Sequence, residues 1–150
     1  MVRTVLYVTV LFLLAAQVVF SHASMTYKSP EEAEAAIHIK TGIHNARMGD
    51  YDDAVKEFKK ALSLNPEADE AWFNLGLTYM DMGEPAKAVE SFEKIYAKAP
   101  DDDGLNYNYG VALMKLGRYG EAVTKLEKVL ANNPGDEHVK KLIDEARSKQ

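Results

Sequence analysis

A spacing of 34 residues constrains this chain more than any other feature of its sequence. Five kinds of position recur at that spacing in three successive copies, with no insertion between them. The recurring positions hold Gly42, Gly76 and Gly110; Gly49, Gly83 and Gly117; Ala54, Ala88 and Ala122; Phe58, Phe92 and Leu126; and Pro66, Pro100 and Pro134. Self-similarity at a fixed period of this length is typical of a supersecondary unit that is repeated and stacked on its neighbours.

The second copy indicates that each unit consists of two helices. Apolar residues recur at helical spacing between Asp69 and Met82, which predicts a first helix over that stretch. Gly83 ends this helix, and Pro85 begins the next one at a position where its missing N–H is not needed. The second helix carries another apolar face and ends before Pro100. Since the other copies have the same layout, we predict an all-α chain of three helical hairpins.

The residue sizes in the period predict how the two helices of a hairpin pack. Glycine and alanine occupy the positions where the helices face each other, so the two backbones can approach closely. The larger Phe58, Phe92 and Leu126 fill the seam between them. One hairpin cannot bury its apolar face alone, whereas stacked hairpins form a continuous core.

Helix signals flank the repeats on both sides. Ser29, Pro30 and Glu32 form a capping box with proline at the first helical position, and we predict a helix from there to about Arg47. After the third copy, the segment 137–150 carries an apolar stripe opposite a charged side, formed by Val139, Leu142, Ile143 and Ala146. This stripe predicts a final helix that covers the end of the stack.

In these features the sequence resembles the tetratricopeptide repeat family. The matching residues of the second copy are Trp72, Leu75, Gly76, Tyr79, Ala88, Phe92 and Pro100. The resemblance implies a right-handed α-solenoid of three helix-turn-helix repeats, at 35–68, 69–102 and 103–136. A lead-in segment at 24–34 would precede them, and a C-terminal capping helix at 137–150 would follow.

The resemblance also implies a binding site. In this family the first helix of each repeat lines a concave groove, and partners usually lie in that groove. The corresponding positions here are Ile39, Lys40, Ile43 and Arg47; Phe73, Asn74, Leu77 and Met80; and Tyr107, Asn108, Val111 and Met114. We expect the apolar members to lack a partner inside the protein and to bind an apolar or amphipathic peptide of another protein. The alternative is that the N-terminal segment, the capping helix or a second copy of the chain fills the groove, so self-association stays open.

A carboxylate clamp is not expected in this groove. Family members that bind chaperones hold a C-terminal carboxylate with Lys and Asn in the first repeat, Asn in the second, and Lys and Arg in the third. Asn74 matches the middle position. Ile39 and Ile43 replace the polar residues of the first repeat, and Gly104 and Asn108 replace those of the third.

The sequence lacks the residue patterns of an enzyme, a metal site or a nucleic-acid binder. It contains no Cys, and His38 and His44 are six residues apart, so they do not share a helix face. Asp102 and Asp103 lie in an acidic turn that fails the spacing of a calcium loop and suits the cap of the next helix. The net charge is −5 without a basic stripe, which disfavours nucleic acid. We therefore expect a non-catalytic protein with no cofactor, whose partners are proteins or peptides.

The first 23 residues have the pattern of a targeting signal. Arg3 precedes an uncharged, mostly apolar stretch of 16 residues at 5–20, which is short for a membrane span. Small residues at Ser21 and Ala23 then fit a signal peptidase site with cleavage between Ala23 and Ser24. These features predict export to the periplasm or cell envelope, or secretion. The alternative is an uncleaved N-terminal anchor, through which the chain would contact a membrane.

Overall fold

The computed structural model describes residues 29–150, and within this range the chain forms seven α-helices. Their bounds are α1 Pro30–Met48, α2 Tyr51–Leu64, α3 Asp69–Asp81, α4 Pro85–Tyr96, α5 Asp103–Lys115, α6 Tyr119–Asn132 and α7 Glu137–Ser148. The predicted all-α class is confirmed for this part of the chain. The predicted targeting signal at 1–23 and its cleavage site lie outside the described residues.

The helices begin and end at the residues that the sequence marks. The Ser29 hydroxyl accepts a hydrogen bond from the Glu32 N–H at 3.2 Å, and Pro30 opens α1. At the first hairpin turn Gly49 has a φ of 87°, in the left-handed region that disfavours residues with a side chain. Gly83 and Gly117 both have a φ of 73° at the equivalent turns. This backbone requirement explains why glycine recurs there.

Close approach of the two helices explains a second recurring glycine. A Cβ atom placed on Gly76 of α3 would lie 2.5 Å from Cε1 of Phe92 in α4. A Cβ on Gly42 would lie 2.7 Å from Phe58, and one on Gly110 would lie 2.8 Å from Leu126, each in its own hairpin. The predicted packing of large residues on small ones is therefore confirmed in all three hairpins of the described chain.

The hairpins stack so that the first helices of neighbouring hairpins are side by side. Consecutive helices pack together throughout, and α1 also contacts α3 while α3 contacts α5. Helix α7 packs on α6 and buries Val139, Ile143 and Ala146 against Val123, Leu126 and Val129. The predicted capping helix therefore covers the last hairpin, as expected for the end of a repeat array.

A polar contact joins the two helices of the first hairpin. Nδ1 of His38 in α1 lies 2.6 Å from Oε2 of Glu57 in α2, and Lys60 contacts the other oxygen of the same carboxylate at 2.6 Å. Hydrogen bonds from Lys60 and His38 hold the pKa of Glu57 below its ordinary value. His38 stands one period before Trp72, so the first repeat carries a polar residue at the position that holds an indole in the second.

Each helix between residues 29 and 150 is too short or too polar to span a bilayer.

Candidate functional site

The predicted groove residues lie on α1, α3 and α5, the helices that stand side by side in the stack. Because the period is constant, each position on one helix has its equivalent on the next. The pairs on α3 and α5 are Phe73 with Tyr107, Asn74 with Asn108, Leu77 with Val111, and Met80 with Met114. All eight of these side chains are half-buried. We call the surface that they form, together with Ile43 and Lys40 of α1, the inner face.

The apolar side chains of the inner face rest on the core. Phe73, Leu77 and Met80 pack against the main core cluster, and the Phe73 ring centroid lies 6.0 Å from that of Phe92. The expectation that these residues lack a partner inside the protein is therefore wrong. Phe92 is buried in the hairpin seam and its ring contacts that of Phe73. Phe73, Leu77 and Met80 are thus each held on one side by the core and partly exposed on the other.

Helix α1 contributes less to the inner face than predicted. Ile39 is only 6% exposed and belongs to the core, since its side chain is shorter than the aromatic rings at the equivalent positions of α3 and α5. Arg47 is exposed but stands one residue past the period. The true equivalent of Met80 is Ala46, which is half-buried and packs on the core. The apolar part of the inner face is thus concentrated on α3 and α5.

The capping helix borders the inner face at α5. The hydroxyl of Tyr107 lies 3.0 Å from Nε2 of His138 in α7, and the two rings are 6.1 Å apart. Tyr107 and Met114 also pack on the core cluster that α7 completes. Helix α7 therefore covers one edge of Tyr107 and limits the inner face at this end, while Leu77, Met80 and Val111 stay half-exposed.

Two asparagines present oriented amides on the inner face. The Nδ2 atom of Asn74 donates to the Glu70 carbonyl at 2.8 Å, and Nδ2 of Asn108 donates to the Gly104 carbonyl at 2.8 Å. Each bond uses one of the two amide N–H donors and fixes the side chain along its own helix. The second N–H and the amide oxygen remain as groups that can pair with the backbone of a bound peptide.

A cavity that the sequence did not predict adjoins Phe73. It has a volume of about 250 Å³ and lies between the N-terminal ends of α3 and α5. Phe73, Ile95, Ala99 and Leu105 supply its apolar lining, and Asp69, Glu70 and Asp102 also line it. No periodic signal reveals this cavity, because residues of α3, α4, α5 and the connecting loop form it together.

The described residues offer no evident metal centre. Between residues 29 and 150, His, Asp and Glu form no group of three that could hold a metal ion.

Two family models, both described as the tetratricopeptide repeat, match the sequence at residues 40–103 and 79–145. Together they span the three predicted repeats except for the start of the first. The chain belongs to the tetratricopeptide repeat family.

Solved structures show the same fold at low sequence identity. The first tetratricopeptide repeat domain of Spaghetti (RPAP3), bound to the HSP90 peptide SRMEEVD, has a TM-score of 0.72 at 19% identity over 78% of this chain and 93% of its own. MamA of AMB-1 has a TM-score of 0.73 at 24% identity, over 77% of this chain and 63% of its own. The Arabidopsis OM64 domain has a TM-score of 0.72 at 17% identity, over 79% of this chain and 98% of its own. The predicted solenoid of tetratricopeptide repeats is confirmed by these likenesses. No curated protein sequence matches this chain significantly.

Proposed function

We propose that the chain is a non-catalytic scaffold whose inner face binds an apolar or amphipathic peptide segment of another protein. The observation that carries the proposal is the pairing of half-buried apolar side chains at equivalent positions of α3 and α5. Repeat proteins commonly bind a peptide on an apolar surface that crosses neighbouring helices of the array. The RPAP3 domain, which shares the fold, was solved with a bound peptide.

The structure supports a prearranged site. Phe73 and Leu77 are held from below by the core, so little side-chain freedom is lost when a peptide covers them. Met80 and Met114 can adapt to the shape of the partner. The cavity beside Phe73 has room for one apolar anchor side chain. Because Ile39 and Ile43 stand where a carboxylate clamp needs polar groups, we propose apolar contacts and not the capture of a C-terminal carboxylate.

Introducing charge on the inner face should abolish binding. In the variant Leu77→Glu/Val111→Glu, each carboxylate would be desolvated by a bound apolar peptide, so we expect the affinity to fall at least about tenfold. The measurement is affinity purification from native extracts with the full chain, followed by quantification of each captured protein. A matched control, Met48→Glu/Leu116→Glu, makes the same change at exposed apolar positions outside the inner face.

The outcome of that comparison is decisive. Proteins that both the unaltered chain and the control capture, and that the inner-face variant loses, support the proposal. Capture of the same proteins by the folded inner-face variant contradicts it.

Light scattering of the purified chain at rising concentration measures self-association. If the average mass grows with concentration and Leu77→Glu/Val111→Glu abolishes that growth, the inner face binds a second copy of the chain.

Export completes the proposal. We propose that residues 1–23 direct the chain to the periplasm, the cell envelope or the exterior, with cleavage between Ala23 and Ser24. The apolar stretch at 5–20 and the small residues at Ser21 and Ala23 support this assignment. The mass of the native chain tests it, because cleavage gives a chain that begins at Ser24. An intact N-terminus in a membrane fraction would contradict cleavage and indicate an anchored scaffold.

A further inference from the structure

A second pocket lies on a different side of α3 from the inner face. It has a volume of about 560 Å³ and is formed between α2 and α4. Its floor is made by Leu62 of α2 and by Trp72, Leu75 and Tyr79 of α3. These α3 residues are spaced by three and four positions and form one stripe, whereas Phe73, Leu77 and Met80 form the stripe of the inner face. We call this site the outer pocket.

The floor of the outer pocket is apolar and firmly held. Leu62, Leu75 and Tyr79 are buried, and the half-buried indole of Trp72 donates its N–H to the Pro66 carbonyl at 2.8 Å. The indole ring is therefore anchored by its polar atom, with a carbon face available to a ligand. An anchored aromatic ring at the base of a cleft is a typical feature of protein-binding hot spots.

The rim of the outer pocket is positive, although the chain as a whole has a net charge of −5. Lys59, Lys87 and Lys94 line it, opposed by Glu90 alone. Lys87 pairs with Glu84 at 2.6 Å. Within residues 29–150, Lys59 and Lys94 make no ion pair, and Nζ of Lys94 lies 6.0 Å from the centroid of the Trp72 ring. Two lysine charges at the rim are thus available to an anionic ligand.

The equivalent site one period later is filled by the protein's own side chains. Between α4 and α6, Tyr96 and Tyr109 replace Leu62 and Leu75, and their rings meet edge to face at 5.7 Å. Lys125 replaces a serine and places its Nζ 3.3 Å from the centroid of the Tyr96 ring. The same hairpin geometry therefore gives a closed site in one place and an open one in the other, because larger side chains stand at the positions of Leu62, Leu75 and Ser91.

The charge at the position of Lys59 is inverted between the two sites. Glu93 occupies the closed site at the position of Lys59, and it accepts a hydrogen bond from the Tyr109 hydroxyl at 3.1 Å. Burial, together with the Glu93 carboxylate, raises the pKa of Tyr109. In the closed site an aromatic ring is thus paired with a carboxylate. The outer pocket has Lys59 at the position of that carboxylate. A ligand complementary to the outer pocket therefore carries both an apolar group and a negative charge.

We propose that the outer pocket binds an acidic segment of a partner protein. An apolar or aromatic side chain of that segment packs on Trp72 and Leu62, and flanking carboxylates pair with Lys59 and Lys94. Residues 1–28 of the chain itself contain no Asp or Glu, so they lack the charge that the rim selects. A nucleic acid fits less well, since the chain is acidic overall and three lysines line the outer pocket.

The sole tryptophan of the chain makes the proposal directly measurable. Trp72 fluorescence of the full chain is titrated with the tryptophan-free peptide acetyl-EEFLDEFE-amide and with its neutral counterpart acetyl-QQFLNQFQ-amide. We expect a saturable change with the acidic peptide and little change with the neutral one. The variant Lys59→Gln/Lys94→Gln should weaken binding by about fivefold or more, as expected for two rim ion pairs. The control Lys115→Gln/Lys141→Gln alters the total charge equally and should bind as the unaltered chain does.

A steric variant tests the same site independently of charge. Leu62→Tyr copies the residue of the closed site and should narrow the outer pocket, so that the acidic peptide no longer changes Trp72 fluorescence. Leu77→Glu/Val111→Glu should leave this response intact, which separates the outer pocket from the inner face. The proposal is overturned if the acidic peptide gives no response, if both peptides bind equally, or if both lysine variants bind equally. A stronger response to a single-stranded oligonucleotide, or a concentration-dependent response without peptide, would also overturn it.

Discussion

Phe92→Ala is expected to lower the free energy of unfolding by about 3–5 kcal/mol, the cost of emptying a well-packed aromatic site. Phe92 is fully buried in the seam of the central hairpin. Its ring centroid lies 6.0 Å from that of Phe73 and 6.1 Å from that of Tyr109, so it joins two hairpins. Because neighbouring hairpins are continuous with this seam, the surrounding side chains cannot close over the cavity without moving a helix.

Urea unfolding followed by circular dichroism measures this loss. The matched control is Met48→Ala, since Met48 is 63% exposed and its truncation should change stability by no more than about 0.5 kcal/mol. A loss below about 1 kcal/mol for Phe92→Ala would mean that the ring does not fill the seam. Phe92→Ala should also weaken peptide binding on the inner face, because Phe73 loses the support beneath it.

Gly76→Ala is expected to lower the free energy of unfolding by about 1–3 kcal/mol, the usual cost of overpacking. Helix propensity alone predicts the opposite, a gain of about 1 kcal/mol for alanine in place of glycine. The clash decides the sign, because the new Cβ would lie 2.5 Å from Cε1 of the buried Phe92 ring. The control is Gly120→Ala near the start of α6, where a new Cβ would lie 3.8 Å from the side-chain amide of Gln150, an ordinary van der Waals distance.

The pair of substitutions gives a sharper test than either alone. Gly120→Ala should leave stability unchanged or raise it by up to about 1 kcal/mol. In the double variant Gly76→Ala/Phe92→Ala the added methyl group enters the space that the ring leaves, so the combined loss should be smaller than the sum of the single losses. Additive losses, or a stabilising Gly76→Ala, would contradict the close contact between α3 and α4.

The fold follows from the sequence because its strongest constraints are local and repeated. Gly83 needs a left-handed backbone, Pro85 suits only the first turn of a helix, and Gly76 must face a large side chain. The two glycine constraints recur every 34 residues, so three copies give the same answer. Helix α1 begins at its predicted cap for the same reason, since Ser29 and Glu32 are only three residues apart.

The inner face and the outer pocket can be predicted from the sequence less completely than the fold, because they depend on contacts between helices that the period does not fix. The position shared by Ile39, Phe73 and Tyr107 is buried in α1 and half-buried in the other two, according to side-chain length. The outer pocket likewise depends on side-chain size. Leu62, Leu75 and Ser91 leave a space open, and the larger residues at the equivalent positions close that space one period later. The shared period does not show such differences between copies. A comparison of side-chain sizes at each equivalent position would reveal the open outer pocket.

Site-specific photo-crosslinking in native cells tests the inner face most directly. A benzophenone amino acid is placed at Val111, which is half-buried on the inner face, and at Thr124, which is exposed on α6, as the control. The adducts are then mapped by mass spectrometry to peptides of the captured proteins. We predict that position 111 crosslinks to an apolar or amphipathic segment of another protein and that position 124 does not. Absence of an adduct at 111, or the same adducts from both positions, would contradict binding on the inner face.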